Sequence, residues 1–253
     1  MSLDIHKLCV TYNETSVLHD VSAKLPAGQV TALIGCNGAG KSTMLKAMAG
    51  LLPMSGQMIL DTHVLTGAQK LKSIAYMPQE TSAGSSLTVL EVILLGRIGS
   101  LGMFVSTSLI DEAYQALDTF GLTSIQARTL DAISGGQRQM VYLAQAMFRC
   151  PRVLLLDEPT AALDLRHQLL VLETLRKFAD ETGGVVGMAM HDLSLAAQFS
   201  DRVIGLKDGR VLASGKPPEV ITAKHLCEMY AIDAEIHMTS RGHIQVVPLR
   251  AAV

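Results

Sequence analysis

Gln29-Val30-Thr31-Ala32-Leu33-Ile34-Gly35-Cys36-Asn37-Gly38-Ala39-Gly40-Lys41-Ser42 is the stretch that decides the fold. Residues 29–34 form a β-rich run that feeds directly into a glycine-rich loop. After Lys41 the apolar spacing turns helical, with Leu45, Met48 and Leu52, until Gly50 and Pro53 stop the helix. Strand, G-x-x-x-x-G-K-S loop and helix are the arrangement in which backbone N–H groups curl inward around phosphate oxygens, with the positive helix N-terminus behind them. Gly35, Cys36, Asn37, Gly38, Ala39, Gly40, Lys41, Ser42 and Thr43 are therefore the candidate nucleotide-binding loop. Lys41 is placed to neutralise the β- and γ-phosphates and Ser42 to hold Mg2+. Cys36 reads either as an oxidation-sensitive brake, since a helix N-terminus lowers a thiol pKa, or as a tolerated small residue.

Working outward, Val153-Leu154-Leu155-Leu156-Asp157-Glu158 puts two acids after a short apolar run suited to a buried parallel strand. The C-terminal strand edge is where open α/β sheets bind ligands. Asp157 is the expected Mg2+ carboxylate, and Glu158 the group that positions an attacking water and accepts its proton. Ser134-Gly135-Gly136-Gln137 opens an amphipathic helix carrying Met140, Leu143, Ala144 and Met147 at i, i+3, i+4, i+7. Small residues at a helix start offer N–H groups and a hydroxyl to an anion, although the same four residues also suit a plain helix cap.

Residues 1–30 alternate in places (Leu8, Val10, Tyr12; Val21, Ala23, Leu25), with turns expected at Asn13-Glu14 and Pro26-Ala27-Gly28. A strand is expected over 73–79, ending at Pro78, then helical patterning from about 86 to 150. Beyond these come a helix over 165–180, an apolar run Gly184–Met190 and a hairpin at Lys207-Asp208-Gly209-Arg210. A short helix near 219–230 and a strand near His243–Leu249 complete the chain. Strands alternating with helices predict an α/β fold with a mainly parallel sheet and an antiparallel layer beside it. The whole chain, 1–253, is expected as one domain, with residues 1–79 and 151–253 as core and 80–150 as an inserted helical subdomain.

Composition narrows the classes. Among 253 residues, 49% are hydrophobic, enough for a sizeable core, and with no Trp that core must be aliphatic. A formal charge of -2 gives no electrostatic case for nucleic acid. The start Met1-Ser2-Leu3-Asp4 lacks an apolar signal region, and the most apolar stretch, Leu87 to Phe104, is interrupted by Glu91 and Arg97. A soluble intracellular chain is expected. Cys9, Cys36, Cys150 and Cys227 form no C-x-x-C pair and read as reduced thiols.

Together these residues resemble the ATP-binding-cassette ATPases over nearly the whole chain. Gly35–Ser42 looks like their Walker A loop, Val153–Glu158 like Walker B, and Ser134–Gln137 like the signature motif, with Ile133 where the family usually has Leu. Gln79, after Tyr76-Met77-Pro78, resembles the Q-loop glutamine; Ala162-Leu163-Asp164 the D-loop; and His191 the switch histidine. Tyr12 sits where the family stacks an aromatic on adenine. The resemblance implies a P-loop NTPase core that binds ATP and Mg2+. It also implies a head-to-tail dimer in which each nucleotide meets Walker residues of one copy and Ser134–Gln137 of the other, with Asp164 among the nucleotide-binding residues. Glu158, His191 and Gln79 are the implied catalytic residues, and Ser42, Gln79 and Asp157 the implied metal set.

The segment Ser86–Arg97 further resembles importer ATPases for iron–siderophore, haem and vitamin B12-type substrates. That likeness implies separate membrane permease subunits docking near Gln79–Arg97, an extracytoplasmic substrate-binding protein, and a place on the cytoplasmic face of the cell membrane. An exporter ATPase and a soluble ATP-dependent assembly factor are the alternatives.

Overall fold

The computed structural model describes residues 2–12, 14–79, 85–100 and 105–252. Asn13 of the first expected turn, the start of the expected subdomain at 80–84, and residues 101–104 at the end of the apolar stretch lie outside these.

Strands β1 (Ser2–Tyr12), β2 (Thr15–Pro26), β4 (Ser55–Leu60) and β5 (His63–Val64) form an antiparallel sheet in the order β2-β1-β4-β5. A second, six-stranded sheet runs β10-β9-β3-β8-β7-β6, from β3 (Gln29–Ile34), β6 (Ile74–Met77), β7 (Val153–Asp157), β8 (Val185–Ala189), β9 (Arg202–Lys207) and β10 (Arg210–Gly215). All its neighbours are parallel except β9 and β10. The fold is thus the expected α/β arrangement with a mainly parallel sheet and an antiparallel layer. A two-stranded ribbon, β11 (Ile232–Met238) with β12 (Ile244–Ala251), ends the chain's strands.

Both faces of the parallel sheet are covered, which is why its strands read as continuous apolar runs. Along β7, Val153 and Leu155 point into the core shared with the antiparallel sheet, while Leu154 and Leu156 point to the helical side. All four are fully buried, a burial that stabilises by roughly 1.5–3 kcal/mol per side chain. Helix α1 (Lys41–Met48) lies between the two sheets, with Met44, Leu45, Ala47 and Met48 at 0% exposure. It stops earlier than expected. Gly50 takes a left-handed turn (φ 79), so Leu52 packs from outside the helix.

On the other face lie α3 (Val89–Leu95), α4 (Thr107–Thr119), α5 (Gly135–Phe148), α6 (Leu165–Thr182) and α7 (Leu193–Phe199). The helical patterning over 86–150 is broken into α3, α4 and α5, with short 3-10 turns at Thr123–Ile125 and Leu130–Ala132 between the last two. The helix expected near 219–230 is two, α8 (Pro217–Val220) and α9 (Ala223–Tyr230), because Thr222 caps a fresh start by accepting the His225 N–H. Helix α2 (Gly67–Ser73) and strands β4, β5 and β11 were not legible in the sequence. Among the described residues no helix is long and apolar enough to cross a membrane.

The β9–β10 hairpin turns at Asp208 (φ 46) and Gly209 (φ 70). Its tip is stitched to distant backbone: Gly209 N donates to Ala39 O at 3.2 Å, and His19 N to Gly209 O at 2.9 Å. A Cβ at Gly209 would lie 2.0 Å from Val17 O, so only glycine allows this approach.

Candidate functional site

The register of the parallel strands ends β3, β6, β7 and β8 along one edge: Leu33 and Asp157 both face Ala189, and Met77 faces Leu156. The segments leaving that edge are the glycine-rich loop, Pro78-Gln79, Glu158 and Met190-His191. Topology alone thus gathers residues more than a hundred positions apart.

Gly35 (φ 148) lies so close to β9 that a Cβ would sit 2.4 Å from Leu206 O. Gly40 (φ 103) caps α1 in a conformation that side chains rarely adopt. Lys41, the first helical residue, folds back inside the loop, donating to Gly35 O at 2.7 Å and Cys36 O at 3.1 Å. Burial pulls its pKa below the ordinary lysine value, against the opposing pull of Glu158, Cys36 and Asp157. Asn37, Gly38, Gly40, Lys41, Ser42 and Thr43 line a cavity of about 440 Å³ together with Gln79, Glu158 and His191. Ala39 is buried beneath the loop, and Cys36 packs against the core between the sheets.

Both oxygens of the buried Asp157 carboxylate accept a hydrogen bond and each keeps a free lone pair: Ser42 Oγ donates to Oδ1 at 2.9 Å and Tyr76 Oη to Oδ2 at 3.2 Å. Burial, and then the Asp157 charge, raises the Tyr76 pKa well above its usual value, so it remains a donor. Glu158 is equally engaged. Gln79 Nε2 donates to Oε2 at 2.7 Å, and His191 Nε2 lies 2.5 Å from Oε1. A carboxylate only accepts, so this contact puts the His191 proton on Nε2. Glu158 itself has φ 54, a left-handed backbone uncommon outside glycine. Ser42, Asp157 and the Gln79 amide offer a set of oxygen donors alone, which fits Mg2+ and not a thiolate- or imidazole-seeking metal.

Ser134, Gly136, Gln137 and Asp164 are not brought to this cavity. They line a different one, of about 470 Å³, with Leu163 and His167. Ser134 and Gln137 form a reciprocal cap at the start of α5. Gly135 is the first helical residue there. Asp164 caps α6 through the His167 N–H at 2.9 Å and meets the His167 ring at 2.8 Å, and these hydrogen bonds hold its carboxyl below the usual range. Tyr12, at the end of β1, is 52% exposed and lines neither cavity.

Three polar residues that support the site were missed. Tyr76 holds Asp157. Tyr230 on α9 accepts the Gly35 N–H at 2.7 Å, its own pKa pushed up to about 12 by burial. Gln139 reaches the backbone on both sides of the Glu158 turn. Gln139 alone left a sequence signal, a polar residue beside the apolar stripe of its helix. A third cavity, of about 760 Å³, opens beside Tyr76 and Met77, with Arg97, Ile98, Tyr142 and Arg149 on its walls.

Known proteins resemble this chain in sequence and in fold. The family model described as ABC transporter matches residues 18–161. The chain is 39% identical over 246 residues to the iron(3+)-hydroxamate import ATP-binding protein FhuC of Bacillus subtilis, covering 93% of this chain and 90% of that one. It is 38% identical over 259 residues to the cobalamin import ATP-binding protein BtuD of Halobacterium salinarum, covering 98% of this chain and 64% of BtuD's length. The dimeric post-hydrolysis structure of the ATP-binding cassette MJ0796, bound to ADP and phosphate, superposes with a TM-score of 0.77 at 28% identity, covering 85% of this chain and 98% of that one.

Proposed function

The chain belongs to the ABC transporter family, and on that premise we propose that it is the ATP-hydrolysing subunit of a metal-chelate importer. The observation that carries the chemistry is the Glu158 carboxylate, gripped by Gln79 and His191 directly beside Lys41, Ser42 and Asp157.

ATP phosphates lie on the N–H groups of residues 35–43, and Lys41 exchanges its two carbonyl partners for β- and γ-phosphate oxygens. Ser42, Asp157 and Gln79 would hold Mg2+, which would supply positive charge to offset that of the phosphates. Tyr76 fixes the face that Asp157 presents. Glu158 orients the attacking water and takes its proton, and His191 holds that carboxylate toward the γ-phosphate. Tyr12 stacks on the adenine ring.

Separation of the two nucleotide-facing surfaces supports a head-to-tail pair. One copy offers the loop cavity, and the second supplies Ser134, Gly135, Gly136, Gln137 and Asp164. Residues from about 80 to 150 form the inserted helical subdomain, and ATP binding closes the pair. The groove beside Tyr76 and Arg97 receives a segment of a separate permease subunit at the cytoplasmic face of the membrane. An extracytoplasmic binding protein delivers the chelate to the system. The import reading rests on what FhuC and BtuD are named for.

The test is to purify tagged Glu158→Gln protein with ATP from source-cell membranes and identify what accompanies it by mass spectrometry. This variant should bind ATP, turn over negligibly and bring a multi-helix permease with it. Only soluble companions would overturn the transport reading, and near-normal hydrolysis would overturn the role of Glu158.

A further inference from the structure

Gln139 stands on α5, five residues after the Ser134 cap, at 3% exposure. Its Nε2 donates to Glu158 O at 3.0 Å, and its Oε1 accepts the Ala162 N–H at 3.3 Å. A carbonyl needs a donor and an N–H needs an acceptor, so the two partners fix the amide in one orientation. A single buried side chain therefore holds both ends of the turn that runs from Glu158 into the segment before Asp164.

That turn needs holding. Glu158 adopts φ 54, where a side chain pays a steric cost. Within the turn, the only other donor to Glu158 O is the Ala161 N–H at 3.3 Å, a longer contact. The direction of the Glu158 carboxylate follows from its backbone, and the backbone is anchored by Gln139. The anchor is stiff: about 7 Å of helix separates Gln139 from Ser134, and a Cβ at Gly136 would lie 3.1 Å from Ala162 O, so α5 packs directly on the same turn.

We propose that Gln139 is a positioning residue for Glu158. It ties the carboxylate of one nucleotide site to the α5 N-terminus that completes the other. This rests on the reading of Glu158 as the group that takes the proton of water. Gln139 touches no substrate, so its loss should act on turnover and not on nucleotide affinity.

The experiment compares full-length Gln139→Met and Gln139→Glu with the unsubstituted chain, by steady-state ATPase kinetics and by calorimetric ATP binding. Met keeps the shape and removes both hydrogen bonds. Glu keeps the acceptor for Ala162 N–H and removes the donor to Glu158 O. The expected result is a fall in kcat of between about tenfold and a hundredfold in both variants, with KM and Kd for ATP within about twofold. Adding Gln139→Met to Glu158→Gln should cause no further loss of the residual rate.

Unchanged kcat overturns the proposal. So does a parallel loss of kcat and ATP affinity, which would make Gln139 a support of the fold alone. Normal turnover in Gln139→Glu would overturn it too, because the Ala162 contact would then be the one that matters. If Glu158→Gln itself hydrolyses ATP normally, the failure lies with the reading of Glu158 and is visible as such.

Discussion

Lys41 is a buried cation whose hydrogen bonds go to two main-chain carbonyls of its own loop. A charged hydrogen bond contributes about 1.5–3 kcal/mol, and a buried charge needs a partner of comparable strength. The phosphate chain of a nucleotide is such a partner. Among the residues lining the cavity, no arginine or second lysine could replace it. Lys41→Ala should therefore weaken ATP binding by about tenfold to a hundredfold, read in a calorimetric titration. Unchanged affinity would remove the loop from the nucleotide site.

Among the elements, α3 shows how a short helix is kept. Seven residues are too few to persist on propensity alone. Thr88 accepts the Glu91 N–H, and Glu91 accepts the Thr88 N–H at 2.7 Å and hydroxyl at 2.9 Å. These hydrogen bonds, the backbone one foremost, lower the Glu91 pKa below its ordinary 4.5. A carboxylate depressed in the folded state stabilises fully above its unfolded pKa and loses that contribution as pH falls through the folded value. Glu91→Ala should lower the thermal midpoint at pH 7 and lower it progressively less as the pH falls below 4.5, measured by melting curves across the acid range.

Legibility also differs element by element. The path β3, loop, α1 could be read because a buried parallel strand is continuously apolar and glycines mark the turn. The hairpin at Asp208-Gly209 could be read from its turn chemistry. Residues 55–73 could not: β4 alternates only at Met58 and Leu60, and β5 is exposed throughout. At the site, the motif residues that line the loop cavity were legible, but the pairings of their supports were not. Tyr230 earns its place through Gly35, 195 positions away, and Gln139 through Glu158, 19 away. Such pairings exist only once the sheet has set the distances.

At the scale of the whole molecule, the two surfaces proposed to meet nucleotide lie in separate cavities of one chain. A head-to-tail pair makes a specific demand. Ser134→Asp keeps a good helix cap and places a negative charge where phosphate would lie. Alone, this variant and Lys41→Ala should each be inactive. Mixed in equal amounts, half of the pairs are hybrid and each hybrid has one intact site, so about a quarter of full activity should return if the sites work independently. No recovery on mixing, assayed as phosphate release, would exclude sites shared in this way.

The stitching of the β9–β10 tip to the glycine-rich loop sets a schedule for synthesis. Ala39 waits for Gly209 and Gly35 for Tyr230, so the loop leaves the ribosome some 170 residues before its clasp. At about 5–20 residues per second that delay is roughly 10–30 s. A nascent chain arrested at residue 200 should not be retained on immobilised ATP, whereas a released full-length chain should. With that outcome, a growing chain carries its most recognisable motif in a form that does not compete for the cell's nucleotide.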